Sequence, residues 1–172
     1  SIHVLARLLQ CKVTHLEKGA KFFDKYYTGV TPKGRVTETP FGQLRQTHDR
    51  VSELLMRIDL PTFLHSARKG RSYISNASSH LGKSQTWSID LKSFFASTHA
   101  GRLRSLFRRD FRCAEDISTV LAKLLTFNDH LPTGGPASTI LSFFCNNTMF
   151  SKIYSLCREK DIVFTLYLDD MT

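Results

Sequence analysis

Three aspartates stand out for the chemistry they could do together. Asp169 and Asp170 are adjacent in the closing stretch DIVFTLYLDDMT, and Asp90 ends an earlier apolar stretch, TWSIDL, 79 residues before Asp169. Adjacent carboxylates at the end of a covered strand repel each other and lose hydration, so each resists ionisation without a nearby cation. Oxygen ligands and paired negative charge are what Mg²⁺ takes. If the two strands lie side by side, all three carboxylates converge on one metal pair. Two metals about 4 Å apart stabilise both the attacking and the leaving oxygen of an in-line phosphoryl displacement. The plainer alternative for the closing segment is a solvated Asp-Asp turn after a core strand, because such turns are common.

Each aspartate needs an element to carry it. Ile162, Phe164 and Leu166 share one face of an extended segment, and Val163, Thr165 and Tyr167 share the other. Both faces are mostly apolar, which predicts a strand covered on both sides. Thr86 to Leu91 also reads as a buried strand, with Phe94 and Phe95 directly after it. Upstream, helical spacing runs from residue 2 to about 25 through Ile2, Leu5, Leu8, Leu9, Leu16, Phe22 and Phe23, with a break near Gly19. Tyr26 to Thr31 and Arg35 to Thr39 flank Pro32-Lys33-Gly34, the pattern of a hairpin with a basic tip.

From Gln43, Leu44, Val51, Leu54, Leu55 and Ile58 predict an amphipathic helix with Arg45, Arg50 and Arg57 outward, closed by Pro61. A short helix over Ser72 to Leu81 stops at Gly82. His99 to Phe111 reads as a very basic helix. Ala114 to Leu125 reads as an amphipathic one, with Ile117, Val120, Leu121, Leu124 and Leu125 inward. After the Gly/Pro loop LPTGGPAS, Ala137 to about Arg158 is the longest helix.

Composition narrows the class. At 172 residues, with 41% hydrophobic and 23% charged content, the chain suffices for one sizeable core. Lys and Arg total 24 against 15 Asp and Glu, a net charge of +9. That favours a polyanionic partner, nucleic acid before an acidic membrane surface, though a basic solvated surface carries the same charge. Cys11, Cys113, Cys145 and Cys157 are scattered, without C-x-x-C spacing or a nearby His pair. They read as reduced, mostly buried thiols of a cytoplasmic chain, not as a zinc site or disulfide frame. No apolar run has the length of a membrane span and no signal-peptide profile opens the sequence, so no membrane partner is expected.

The spaced blocks also resemble a known family. YLDD resembles the YxDD signature of reverse transcriptases, and SIDLKSFF resembles their first catalytic block, an aspartate followed by an aromatic five residues on. LPTGGPAST is similar to the LPQGxPxSP block between these, and PKGRVTETPFGQLRQTHDRV resembles the fingers segment. The four blocks stand in the family's order over roughly residues 25 to 172. Asn76-Ala77-Ser78-Ser79-His80 matches the NAxxH block typical of retron reverse transcriptases. Without that context, Asn76 and His80 read as helix packing with a local hydrogen bond.

The resemblance implies an α/β (α+β) fingers–palm fold with a small antiparallel palm sheet backed by helices. N-terminal helices and fingers would span residues 1–85 and the palm 86–172, without the thumb, so that the chain alone would be inactive. It implies two Mg²⁺ ions held by Asp90 and Asp169, with Asp170 beside them and the Leu91 carbonyl as a further ligand. Phe95 falls at the steric gate that excludes a ribose 2′-OH. Its alternatives are a plain core residue or a one-residue shift that gives the role to Phe94. Arg35 would lie on the incoming dNTP, with Lys33 a weaker phosphate contact. Arg68, Lys69 and Arg71 would track template backbone or be solvated.

Thr133 stands where the family has a nucleotide-contacting Gln, and Thr139 and Ala96 replace usual prolines. The implied activity is RNA-directed DNA synthesis on a structured noncoding RNA, primed from a 2′-OH to give a branched RNA–DNA product. Antiphage defence with an effector protein would be its use. The rivals are a group II intron-like or other bacterial reverse transcriptase, and a catalytically silent nucleic-acid-binding module of the same shape.

Overall fold

A computed structural model describes residues 1–17, 25–32 and 34–172. It is a mixed α and β structure, an α+β arrangement with two small antiparallel sheets. The N-terminal helical pattern resolves into two short helices, α1 (Ile2–Leu8) and α2 (Val13–Glu17). Gln10 takes φ 54° between them, so the helix breaks there instead of running on. The proposed break at Gly19, the second half of that pattern with Phe22 and Phe23, and Lys33 lie outside the described residues.

The predicted hairpin forms as β1 (Tyr26–Val30) and β2 (Val36–Pro40), paired in register from Tyr26 opposite Pro40 to Val30 opposite Val36. Helix α3 (Gly42–Leu55) buries Leu44, Val51 and Leu55, and it ends before Pro61, leaving Ile58 exposed. Short α4 (Tyr73–Ser78) starts on a reciprocal cap. Ser72 Oγ accepts from the Ser75 N–H, and Ser75 Oγ accepts from the Ser72 N–H. Gly82 follows at φ 75°, the left-handed conformation that stops a helix without a Cβ penalty.

The basic helix is α5 (Ala100–Ser105) continued by a π-helical turn, Leu106–Asp110. Arg104 and Arg108 both reach Glu115 on α6 (Glu115–Leu125), at 3.5 and 2.8 Å. Helix α7 (Ser138–Glu159) runs through the core and buries Ile140, Leu141, Phe143 and Phe150. Phe63 packs against Phe143, Tyr154 and Phe164, which brings the closing stretch onto α7. No helix among the described residues is long and apolar enough to cross a membrane. The four cysteines are unpaired and half-buried.

The two strands that carry the aspartates depart from expectation. Only Ile89–Asp90 (β3), Leu166–Tyr167 (β4) and Asp170–Met171 (β5) are strand. The TWSIDL stretch is not buried: Trp87 is 78% and Ile89 56% exposed. β3 is an edge strand that pairs only with β5, and nothing in the described residues covers its apolar side chains. In the closing stretch Ile162 and Val163 are exposed, and burial begins at Phe164.

One buried histidine gives the fold a pH dependence. His48 on α3 is fully buried and its Nε2 lies 2.9 Å from the Leu124 carbonyl, so Nε2 carries the proton and donates. Nδ1 has no partner among the described residues. Burial, outweighing that hydrogen bond, pulls its pKa down to about 4. The unfolded chain therefore binds a proton that the native one refuses between the ordinary histidine value and about 4. Stability should fall as pH drops through that window, by about 3 kcal/mol in all. Urea melts at pH 7, 5.5 and 4 would show it. His48→Gln should flatten the trend over that window, and an unchanged slope in the variant would clear His48 of the effect.

Candidate active site

The closing hairpin places the carboxylates. β5 lies between β3 and β4, with Ile89 opposite Met171 and Asp90 opposite Asp170 on one side. On the other side, Leu166 faces Met171 and Tyr167 faces Asp170. Leu168 and Asp169 form the turn between β4 and β5. The Asp-Asp pair is therefore split, with Asp169 in the turn and Asp170 beginning β5. The strand carrying Asp90 adjoins β5, not β4. Leu168 takes φ 58°, a left-handed conformation that a leucine rarely adopts, so the turn is held against its local preference. The Leu91 N–H donates to the Asp169 carbonyl at 3.1 Å, tying the backbone after Asp90 to the turn.

Charge agrees with that convergence. Burial raises the Asp169 pKa most, its own backbone N–H opposes this, and the charges of Asp90 and Asp170 raise it further. Arg35 pulls it down, so the arginine at the β1–β2 hairpin tip is within electrostatic reach of the turn. None of the three carboxylates has an ion-pair partner among the described residues. Nor are any three His, Cys, Asp or Glu side chains among the described residues grouped so as to hold a metal ion. Three carboxylates at the open end of a small sheet are oxygen donors of the kind a hard divalent cation takes. Mg²⁺ keeps several waters and needs only one or two carboxylates, not a complete protein cage.

The β1–β2 hairpin is fastened to the Gly/Pro loop beside this site. Thr133 Oγ1 donates to the Val36 carbonyl at 3.0 Å and accepts from the Glu38 N–H at 3.2 Å. The Gly134 N–H donates to the Glu38 carbonyl at 3.0 Å. A Cβ at Gly134 would run into Thr39 Oγ1 and the Glu38 backbone, so glycine is what permits the approach. Buried Glu38 meets His130 Nε2 at 2.9 Å. Thr133, expected at the nucleotide, thus has its hydroxyl committed to β2. Glu38 and His130 went unnoticed in the sequence, where an inward-facing acid in VTETP was the one available signal.

Among curated proteins, the chain is 32% identical over 152 residues to the retron Se72 reverse transcriptase of Salmonella heidelberg (strain 579083-10), covering 86% of this chain and 39% of that protein. It is 28% identical over 119 residues to the retron Ec86 reverse transcriptase of Escherichia coli, 69% of this chain and 37% of that one. The retron Ec48 reverse transcriptase of Escherichia coli matches at 21% over 190 residues, 100% of this chain and 47% of that protein. The chain belongs to the retron reverse transcriptases. No family model matches it. It spans less than half the length of these three relatives.

Within this retron chain two of the three cations Arg68, Lys69 and Arg71 bond within the chain. Arg68 donates to the Leu60 and Pro61 carbonyls at 2.9 and 2.7 Å. Arg71 Nη1 lies 3.1 Å from Nε2 of buried His65, whose Nδ1 lies 2.9 Å from Ser75 Oγ. Ser75 Oγ itself donates to the Ser72 carbonyl, so His65 Nδ1 donates to it and Nε2 accepts from Arg71. Lys69 is exposed. In the retron NAxxH block, Asn76 Oδ1 is buried without a partner among the described residues, while His80 Nε2 lies 2.7 Å from Thr165 Oγ1. Of the paired phenylalanines, Phe94 is buried and Phe95 half-buried, with ring centroids 5.8 Å apart.

Proposed function

We propose that this chain is the nucleotidyl-transfer part of an RNA-directed DNA polymerase, its β1–β2 hairpin serving as fingers and its β3–β5–β4 sheet as palm. The observation that carries the reading is the register that puts Asp90 opposite Asp170 with Asp169 in the adjoining turn. Asp90 and Asp169 are the residues to hold two Mg²⁺ ions, with Asp170 beside them and the Leu91 carbonyl completing the oxygen set. Bound there, Mg²⁺ supplies charge stabilisation for an in-line displacement at a phosphorus. Arg35 supplies a planar, permanently charged fork for the triphosphate, and its electrostatic reach to Asp169 supports that role. Phe95 lies under the incoming sugar. Thr133 acts by holding β2 in place.

The net charge of +9 favours an RNA template and the RNA–DNA hybrid. A structured noncoding RNA template, a branched product and a role in antiphage defence beside an effector rest on the retron resemblance. Calorimetric titration of the chain with dNTP should show binding with Mg²⁺ present and none with EDTA. The Mg²⁺-dependent heat should disappear in Asp169→Asn. Equal binding in EDTA would leave a nucleic-acid-binding module without turnover as the better reading.

A further inference from the structure

The NAxxH block has no place in the chemistry above, yet the fold fastens it to the hairpin that bears the aspartates. Thr165 is 3% exposed, and its hydroxyl meets His80 Nε2 at 2.7 Å across 85 residues of chain. Its backbone exchanges two hydrogen bonds with Thr172, at 2.9 and 3.0 Å, closing the hairpin at the end opposite the Leu168–Asp169 turn. One residue therefore joins the turn after α4 to the residue that follows β5, the strand in which Asp170 faces Asp90. Among the described residues, His80 makes the one side-chain hydrogen bond that reaches residues 162–172 from outside them. The other edge of β4 is held by backbone alone. There the Leu166 N–H donates to Phe63 O, and the His65 N–H donates to Leu166 O. Both anchors share a base, because Ser75, which caps α4, also takes the His65 ring.

We propose that His80 is a positioning residue, whose bond to Thr165 sets where Asp169 and Asp170 stand relative to Asp90. The role rests on the polymerase reading. A hairpin with two-residue strands has little stiffness of its own, so the turn carrying Asp169 is only as fixed as its fastenings. Losing the His80 bond leaves a buried hydroxyl unpaired and frees the hairpin to tilt about its backbone anchor. His80 touches no reacting atom in this arrangement.

The test uses the polymerase with its thumb and three variants: His80→Ala, His80→Gln and Thr165→Val. Hydrogen exchange over residues 162–172, read by mass spectrometry, should speed up in His80→Ala and Thr165→Val and recover in His80→Gln, whose amide can meet the hydroxyl. In extension assays His80→Ala should lower kcat about tenfold and raise the Mg²⁺ needed for half-maximal rate several-fold, with the dNTP KM within about twofold. Adding Thr165→Val to His80→Ala should cost nothing more, since one bond cannot be lost twice.

Native-like exchange and Mg²⁺ requirement in His80→Ala, or additive losses in the double variant, would overturn the role. Should His80→Ala fail to fold, the near-isosteric Thr165→Val decides by the same two readouts. Asp90→Asn separates the two readings. No DNA synthesis by the parent removes the polymerase reading, and synthesis surviving in Asp90→Asn removes the catalytic assignment of the aspartates on which the positioning role rests. Synthesis lost there, with hairpin exchange unaltered in His80→Ala, removes the positioning role alone.

Discussion

Asp90→Asn and Asp169→Asn should each cut DNA synthesis about a thousandfold or more in a polymerase that carries this chain with its thumb. RNA affinity should stay within about twofold. The first number follows from the loss of a charged oxygen ligand, which removes several kcal/mol of transition-state stabilisation, each 1.4 kcal/mol or so being tenfold in rate. The second follows from the origin of RNA affinity in phosphate contacts by cationic side chains, none of which the aspartates supply. Neither asparagine should unfold the site. Asp169 is held above its ordinary pKa by burial and by two neighbouring carboxylates, so neutralising it relieves repulsion in the metal-free protein.

A group whose native pKa is raised binds its proton more readily folded than unfolded, so its ionisation lowers stability as pH rises through that window. Asp169→Asn should accordingly melt no lower than the parent at pH 7. Asp170 stands beside the proposed metal positions and not among the two principal ligands, so Asp170→Asn should cost less than either. Single-turnover extension and filter binding on the same preparations would check both halves. Synthesis at parental rate in Asp90→Asn would end the assignment of that residue.

How much of this was legible in the sequence differs by element. Helices α3 and α6 announced themselves because their apolar periodicity has a core to match, the β1–β2 hairpin by its turn residues and α7 by the Gly/Pro loop before it, and the observed bounds fall within a few residues of the pattern. The strands that carry the aspartates misled for the opposite reason. Ile89 and Trp87 look like core residues in an apolar run, but β3 is an edge that nothing in the described residues covers. Sequence shows that a side chain is apolar, not what lies against it. The pairing order was equally hidden. Two strands 79 residues apart were expected side by side, and the short β5, begun by Asp170 itself, lies between them.

Motif spacing singled out Asp90, Asp169 and Asp170, and in the fold the charges of Asp90 and Asp170 both act on Asp169. The fastenings were beyond reach, because Glu38 with His130 and His80 with Thr165 are bonds between residues 92 and 85 positions apart. Thr133 shows the limit of motif transfer most clearly. A shorter side chain in a familiar block fastens the backbone of β2, 95 to 97 positions away in sequence.

Phe95→Ala should relax sugar choice, raising ribonucleotide use relative to deoxyribonucleotide about 10- to 100-fold, while Phe94→Ala should chiefly destabilise. The two rings are neighbours in sequence with different surroundings. Phe94 is 6% exposed and packs edge-on against Phe150, itself fully buried on α7, with centroids 6.3 Å apart. Removing that ring opens a cavity in the core at a cost of about 3–5 kcal/mol. Phe95 is half-buried and five residues past Asp90, so its ring has a free side on which a sugar can rest. A ring under C2′ discriminates by shape alone, and one small group rejected or admitted by an apolar surface is worth about 1–3 kcal/mol, which sets the expected range.

The dNTP KM should change less than the ribonucleotide one, because the deoxysugar never met the ring as an obstacle. Parallel extension with dATP and ATP, with thermal melts on both variants, separates the outcomes. A shift in sugar choice in Phe94→Ala with its stability intact would move the gate by one residue. Unchanged selectivity in both would leave Phe95 as an ordinary packing residue at the rim of the palm.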